Sequence, residues 1–168
     1  MSRTRSVGCY GGHVPDRPDP EREIWVYDAA LSLLLGEVIR TVEDLPAERR
    51  PAWWATRAED LRMQAMVSDL YFDLTDELDA DHHGEFARLL EEAAERLRQR
   101  GAVTPDDGAS WPVPDRGDEP EAEFQDLEPV AELGHALADL IRGTLPEPPA
   151  GTQWFYGAPG GRSTIPPV

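Results

Sequence analysis

The chain has 168 residues, with 33 Asp and Glu against 16 Arg, no Lys and a formal net charge of −17. A polyanion of this strength repels nucleic acid and anionic lipid and attracts basic proteins. The 40% of hydrophobic residues is too many for a wholly disordered chain and fits one domain with a real core.

Cys9 is the only cysteine, so no intramolecular disulfide can form. Residues 1–20 hold Arg3 and Arg5 but no apolar run, unlike a secretory leader. The longest apolar run, 29–35, falls far short of the roughly 20 residues that cross a bilayer. A cytoplasmic protein is expected. The absence of both Lys and Asn matches the coding bias of a GC-rich bacterial genome, which offers a second origin for the acidity. The charge is uneven, with −8 on residues 102–129 and −6 on 24–78.

In chain order, Asp19-Pro20-Glu21 reads as an N-cap, a first-turn proline and a first-turn acid. Ile24, Tyr27, Leu31, Leu34, Leu35, Val38, Ile39 and Val42 then recur at steps of three and four, which predicts a helix over 20–44. Pro46 ends it, and 46–50 forms a turn because Pro51 disfavours helical geometry at Arg50.

A second helix is predicted over 51–78, with apolar rows Trp54, Ala58, Leu61, Ala65, Phe72 and Met63, Val67, Leu70, Leu74, Leu78. So broad a face suits a central helix. The row Glu59, Arg62, Met66, Asp69, Asp73, Asp76 faces water or a partner.

A third helix spans 81–100, with Asp79 or Asp81 as cap, Phe86, Leu89, Leu90, Ala93 and Leu97 as core stripe, and Gly101 as stop. Residues 102–128 hold four prolines and runs of acids, and read as a long acidic loop. Pro129 opens a fourth helix over 129–143 with Val130, Leu133, Leu137, Leu140 and Ile141 inward, closed by Gly143.

These periodicities predict an all-α protein, a four-helix bundle. The bundle domain covers 19–145, between a flexible N-terminal tail, 1–18, and a Pro/Gly-rich aromatic C-terminal tail, 146–168.

Chemistry is thin in the sequence. A carboxylate-bridged dimetal bundle needs two Glu-x-x-His pairs, and Glu132–His135 is the single match. Its alternative ligands, His82, Glu132, His135 and Asp139, fall at a helix start and on an outward row. The carboxylates Asp69, Asp73 and Asp76 read as a solvated face rather than an acid–base pair. Cys9 with His13 lacks a rigid scaffold. No phosphate loop, Gly-x-Ser-x-Gly elbow or metalloprotease helix is present, so neither a catalytic residue nor a cofactor is expected.

The charge pattern points instead to a non-catalytic acidic module that binds and modulates a basic protein, an immunity-protein-like or antitoxin-like inhibitor being one instance. Its contact residues would be Glu59, Asp69, Asp73 and Asp76, and the loop acids Asp106, Asp107, Asp115, Asp118 and Glu119. Trp53 and Trp154 would be aromatic anchors. Trp53 has a competing reading as an edge cover of the core, and Trp154-Phe155-Tyr156 one as a tail docked on the bundle. Two other classes stay open: a metal- or ligand-binding bundle enzyme, and an assembly subunit that self-associates.

Overall fold

The computed structural model describes residues 4–12, 19, 22–66, 71–103 and 125–167. It is an α/β fold, which corrects the all-α bundle. The elements run β1 (Thr4–Gly8), β2 (Glu23–Tyr27), α1 (Asp28–Glu43), a 3-10 turn (Ala47–Arg49), α2 (Trp54–Met66), β3 (Tyr71–Asp73), α3 (Ala80–Arg100), α4 (Glu128–Arg142), β4 (Gln153–Tyr156) and β5 (Ser163–Ile165).

The sheet has five strands in the order β3-β1-β2-β4-β5. The pairs β1–β2 and β4–β5 are antiparallel, while β1–β3 and β2–β4 are parallel. Segments expected to be tails therefore supply three strands, and β1 lies inside the sheet between β2 and β3.

Two of the expected helices begin or end as strands. Residues 23–27, Glu-Ile-Trp-Val-Tyr, alternate sides and are rich in the β-branched and aromatic types that favour strands. At Tyr27 the backbone is still extended, and α1 starts at the next residue with Asp28 in its first turn. No loop separates them, so apolar spacing runs on without interruption across a change of structure. In the expected helix 51–78, α2 stops at Met66 and Tyr71–Asp73 form β3. Met63 is 52% exposed, while Leu74 and Leu78 of the same expected row are buried in the core from beyond the end of β3 rather than from a helix. The central helix is α1, with 13 of its 16 residues buried. Helices α3 and α4 follow their expected stripes, and Gly143 closes α4 in the left-handed conformation.

The core joins all four helices to one face of the sheet, through Val7, Ile24, Val26, Phe72 and Tyr156. The strand registers place these five on the same side. Arg5 shares that face and is fully buried. Its Nε donates to Asp28 Oδ1 at 2.7 Å, and its two terminal nitrogens donate to Gln64 Oε1 and the Gln64 carbonyl. One guanidinium thus ties β1, α1 and α2 together.

Candidate functional site

The opposite face of the sheet carries a different set of side chains. Across the strands, Tyr71, Ser6, Trp25, Phe155 and Ser163 form one transverse row. Asp73, Gly8 and Glu23 form the next, with Gln153 beside Glu23 on β4. Tyr71, Trp25 and Phe155 are partly exposed, and none of them belongs to the core cluster. The face is aromatic and half-buried, with Ser6, Glu23, Asp73 and Gln153 buried between the rings.

Hydrogen bonds hold this face in a fixed pattern. Trp25 Nε1 donates to Gln153 Oε1 at 2.9 Å, and Gln153 Nε2 lies 3.5 Å from Glu23 Oε1. The Tyr10 hydroxyl donates to Glu23 Oε2 at 2.8 Å, and its ring stacks on Tyr71 with centroids 5.8 Å apart. Gly8 makes this possible, because a Cβ there would stand 2.5 Å from the Tyr10 ring. Burial, and then the bond to Glu23, pushes the Tyr10 phenol well above its usual range. Burial and the nearby Asp73 carboxylate push Tyr71 up too.

Asp73 organises the loop after β1. Its carboxylate accepts from the backbone N–H groups of Tyr10, Gly12 and Thr75 and from the Thr75 hydroxyl, at 3.1, 2.6, 3.0 and 3.1 Å. Gly11 and Gly12 have φ of +62° and +88°, the left-handed region that turns successive N–H groups inward. The helical reading of 51–78 places Asp73 on a solvated row. It is instead buried, because this segment is a strand whose end meets the loop.

The turn that follows displays acids. Asp76 is half-buried, and Glu77, Asp79 and Asp81 are exposed. None of the four makes an ion pair with a described residue. The turn is anchored by Leu74 N–H to the Gly8 carbonyl at 2.8 Å, Leu78 N–H to the Thr75 carbonyl at 3.2 Å, and the His83 ring to the Leu78 carbonyl at 3.0 Å. Of these carboxylates, Asp76 stands near the Tyr71 end of the aromatic row, where it helps push the Tyr71 phenol up.

Behind the turn, a cleft of about 540 Å³ opens beyond the C-terminal ends of β1 and β3. It is lined by Cys9, Arg22, Thr75 and His83 on one side and by Leu140–Gly143, Leu145, Pro146 and Glu147 on the other. Burial pushes the Cys9 thiol up to about 12, with Asp73 adding to the shift and Arg22 opposing it. Cys9 is therefore a protonated thiol at neutral pH, the reverse of an activated nucleophile.

The other sequence-derived candidates scatter. Trp53 is a core cover, 8% exposed, with its indole donating to Glu85 Oε1 at 2.6 Å and its ring set edge-on to Trp54 and Phe86. Trp154 packs partly against the core, donates to the Pro146 carbonyl at 2.7 Å and lies under the Arg162 guanidinium. Glu59 is exposed beside Arg62 at 3.8 Å on α2, apart from the aromatic row. Asp69, Asp106, Asp107, Asp115, Asp118 and Glu119 lie outside the described residues, as does His13.

The four alternative metal ligands are not brought together. His135 meets Glu95, Glu132 accepts from the Arg162 N–H, Asp139 accepts from the Thr144 hydroxyl, and His82 sits in the first turn of α3. Among the described residues no group of three His, Cys, Asp or Glu is placed to hold a metal ion. No described helix is long and apolar enough to cross a membrane.

Sequence reasoning missed Tyr10, Trp25, Tyr71, Glu23 and Gln153, and named Phe155 only within the docked aromatic tail. The signal that would have found Trp25 is the alternation Glu23-Ile24-Trp25-Val26-Tyr27, a period of two rather than 3.6.

The chain matches no family model, no curated protein and no solved structure.

Proposed function

We propose that the protein is a non-catalytic binding module that captures a basic protein on the aromatic face of its sheet. The carrying observation is the row Tyr71, Trp25, Phe155, with Tyr10 stacked at its end and Asp76 near Tyr71, in a stretch whose carboxylates Asp76, Glu77, Asp79 and Asp81 make no ion pair with a described residue. Aromatic side chains at the centre and charge at the rim are the division of labour of protein interfaces. The aromatic groups lose solvent and hold the complex, while the rim acids steer its approach.

Charge selects the kind of partner. A phosphate backbone or an anionic lipid would meet like charge at this turn, and a second copy of the chain would bring another −17. A surface rich in Arg or Lys has the complementary sign. An inhibitor of the immunity or antitoxin type is one instance of this reading, since an acidic rim can occlude a basic enzyme's substrate groove.

The test is affinity capture from the native cell at about 0.1 M salt, where the Debye length is near 10 Å. The full chain is compared with a variant carrying Asp76→Asn, Glu77→Gln, Asp79→Asn and Asp81→Asn. A basic protein retained in stoichiometric amount by the parent and lost by the variant is the expected outcome. Equal retention by both chains, or the absence of any basic protein, would contradict the reading.

A further inference from the structure

We propose that the cleft beyond the strand ends of β1 and β3 binds a free zwitterionic amino acid with an apolar side chain. This inference is independent of the sheet face and stands or falls without it.

The cleft has the dimensions of a small-molecule site, since its volume of about 540 Å³ falls within the roughly 300–1,000 Å³ typical of such pockets. It also lies at the carboxyl ends of a parallel strand pair, where the chain turns away from the sheet and leaves a crevice. Its walls are fixed. Trp154 holds the Pro146 carbonyl, the His83 ring holds the Leu78 carbonyl, and Asp73 with Thr75 holds the loop that follows Cys9.

Charge in the cleft comes in both signs. Arg22 is exposed and makes no ion pair with a described residue, in a chain where acids outnumber arginines two to one. Arg142 is already held by Glu91, at 2.5 and 2.9 Å. Glu147 is exposed, and no described residue pairs with it. The C-terminal end of α4 lines the same wall and carries about half a negative charge. Its Asp139 and Leu140 carbonyls accept from Thr144 and Gly143. The carbonyls of Ile141 and Arg142 accept from no described residue, which leaves two acceptors at the wall.

A pure anion would suit Arg22 but face Glu147 and the α4 carbonyls. A pure cation would suit those and face Arg22. A zwitterion satisfies both, with its carboxylate on Arg22 and its ammonium on Glu147 and the α4 carbonyls. The remaining surface selects the body of the ligand. Leu140, Ile141, Leu145 and Pro146 form an apolar wall, and the Cys9 thiol opposite is uncharged. An aliphatic or aromatic side chain fits there.

The experiment is a titration of the full ¹⁵N-labelled chain with L-leucine, with isovalerate and isoamylamine as probes that keep one charge each. Saturable shifts at the amides of Cys9, Arg22, Thr75, His83 and the 140–147 segment are expected with leucine. Each single-charge probe, and leucine against either Arg22→Gln or Glu147→Gln, is expected to bind at least about tenfold more weakly, one decade in Kd. Both side chains are exposed and make no ion pair with a described residue, so the variants should melt with the parent. No shift up to about 50 mM leucine, far above the Kd range of a built site, would overturn the proposal. So would shifts elsewhere, or a single-charge probe that binds as tightly as leucine.

Discussion

The backbone N–H of Gly12 donates to Asp73 Oδ2 at 2.6 Å, across 61 residues of sequence. This bond and its neighbours close the loop after β1 onto the end of β3. They set the Tyr10 ring over Gly8 and, on the same strand end, the start of the acidic turn. The Tyr10 end of the aromatic row and the first residues of the acidic turn are thus positioned by one carboxylate.

Asp73→Ala should cost about 2–4 kcal/mol of folding stability, because it strands several buried donors that a charged acceptor now satisfies. Asp73→Asn keeps one acceptor oxygen and should cost less. Urea unfolding at neutral pH checks both. A loss under about 0.5 kcal/mol for the alanine variant would return Asp73 to the solvated surface.

The Arg5–Asp28 pair makes a second stability prediction. Arg5 is fully buried and the Asp28 side chain is 3% exposed. Asp28→Ala removes the carboxylate that the buried Arg5 Nε donates to and should destabilise by about 3–5 kcal/mol. The same measurement applies, and a nearly unchanged midpoint would mean that Arg5 reaches water.

Trp53→Ala separates structure from binding. It opens a cavity next to Trp54 and Phe86 and strands Glu85, so it should cost about 3–5 kcal/mol. At temperatures where the variant is folded, partner affinity should stay within about twofold of the parent, under about 0.5 kcal/mol. A stable variant with weakened binding would restore Trp53 as an anchor.

Alkaline pH should destabilise the fold. The Cys9 thiol rises from 9.0 to about 12 in the folded chain. Its contribution is complete below pH 9, where both states are protonated. It is lost as pH rises through 9–12, because the unfolded thiol ionises first. Tyr10 and Tyr71 are raised too and act in the same direction at higher pH. The urea midpoint should fall between about pH 8 and pH 10, and Cys9→Ala should flatten that slope. Alkylation of the folded thiol at about pH 8 should be slow, and rapid alkylation would contradict its burial.

How much of this was legible in the sequence depended on element length. Helices α3 and α4 were readable because Phe86–Leu97 and Val130–Leu140 repeat over several turns and end at Gly101 and Gly143. The strands are three to five residues long, too short for a period of two to stand out. In β2, Ile24 and Tyr27 precede Leu31 by two turns and one turn of helical spacing, so they join the α1 stripe by coincidence. Arg5 concealed β1, since a buried arginine looks like a surface residue until Asp28 and Gln64 are brought to it. The aromatic site was invisible for the same reason. Tyr10, Trp25, Tyr71 and Phe155 come from four places in the chain, and only strand register, with the Asp73-held loop for Tyr10, makes them neighbours.

The most direct test of the binding face is stopped-flow association with the captured basic partner at about 0.1 M and 1 M salt, where the Debye length falls from near 10 Å to 3 Å. The parent on-rate should drop steeply with salt. Amide substitution of Asp76, Glu77, Asp79 and Asp81 should lower the on-rate and its salt dependence while changing the off-rate little. Trp25→Ala and Phe155→Ala should do the opposite, raising the off-rate at least tenfold, about 1.4 kcal/mol, with the on-rate kept. An on-rate indifferent to salt and to the four amides, with an off-rate indifferent to Trp25 and Phe155, would contradict the account.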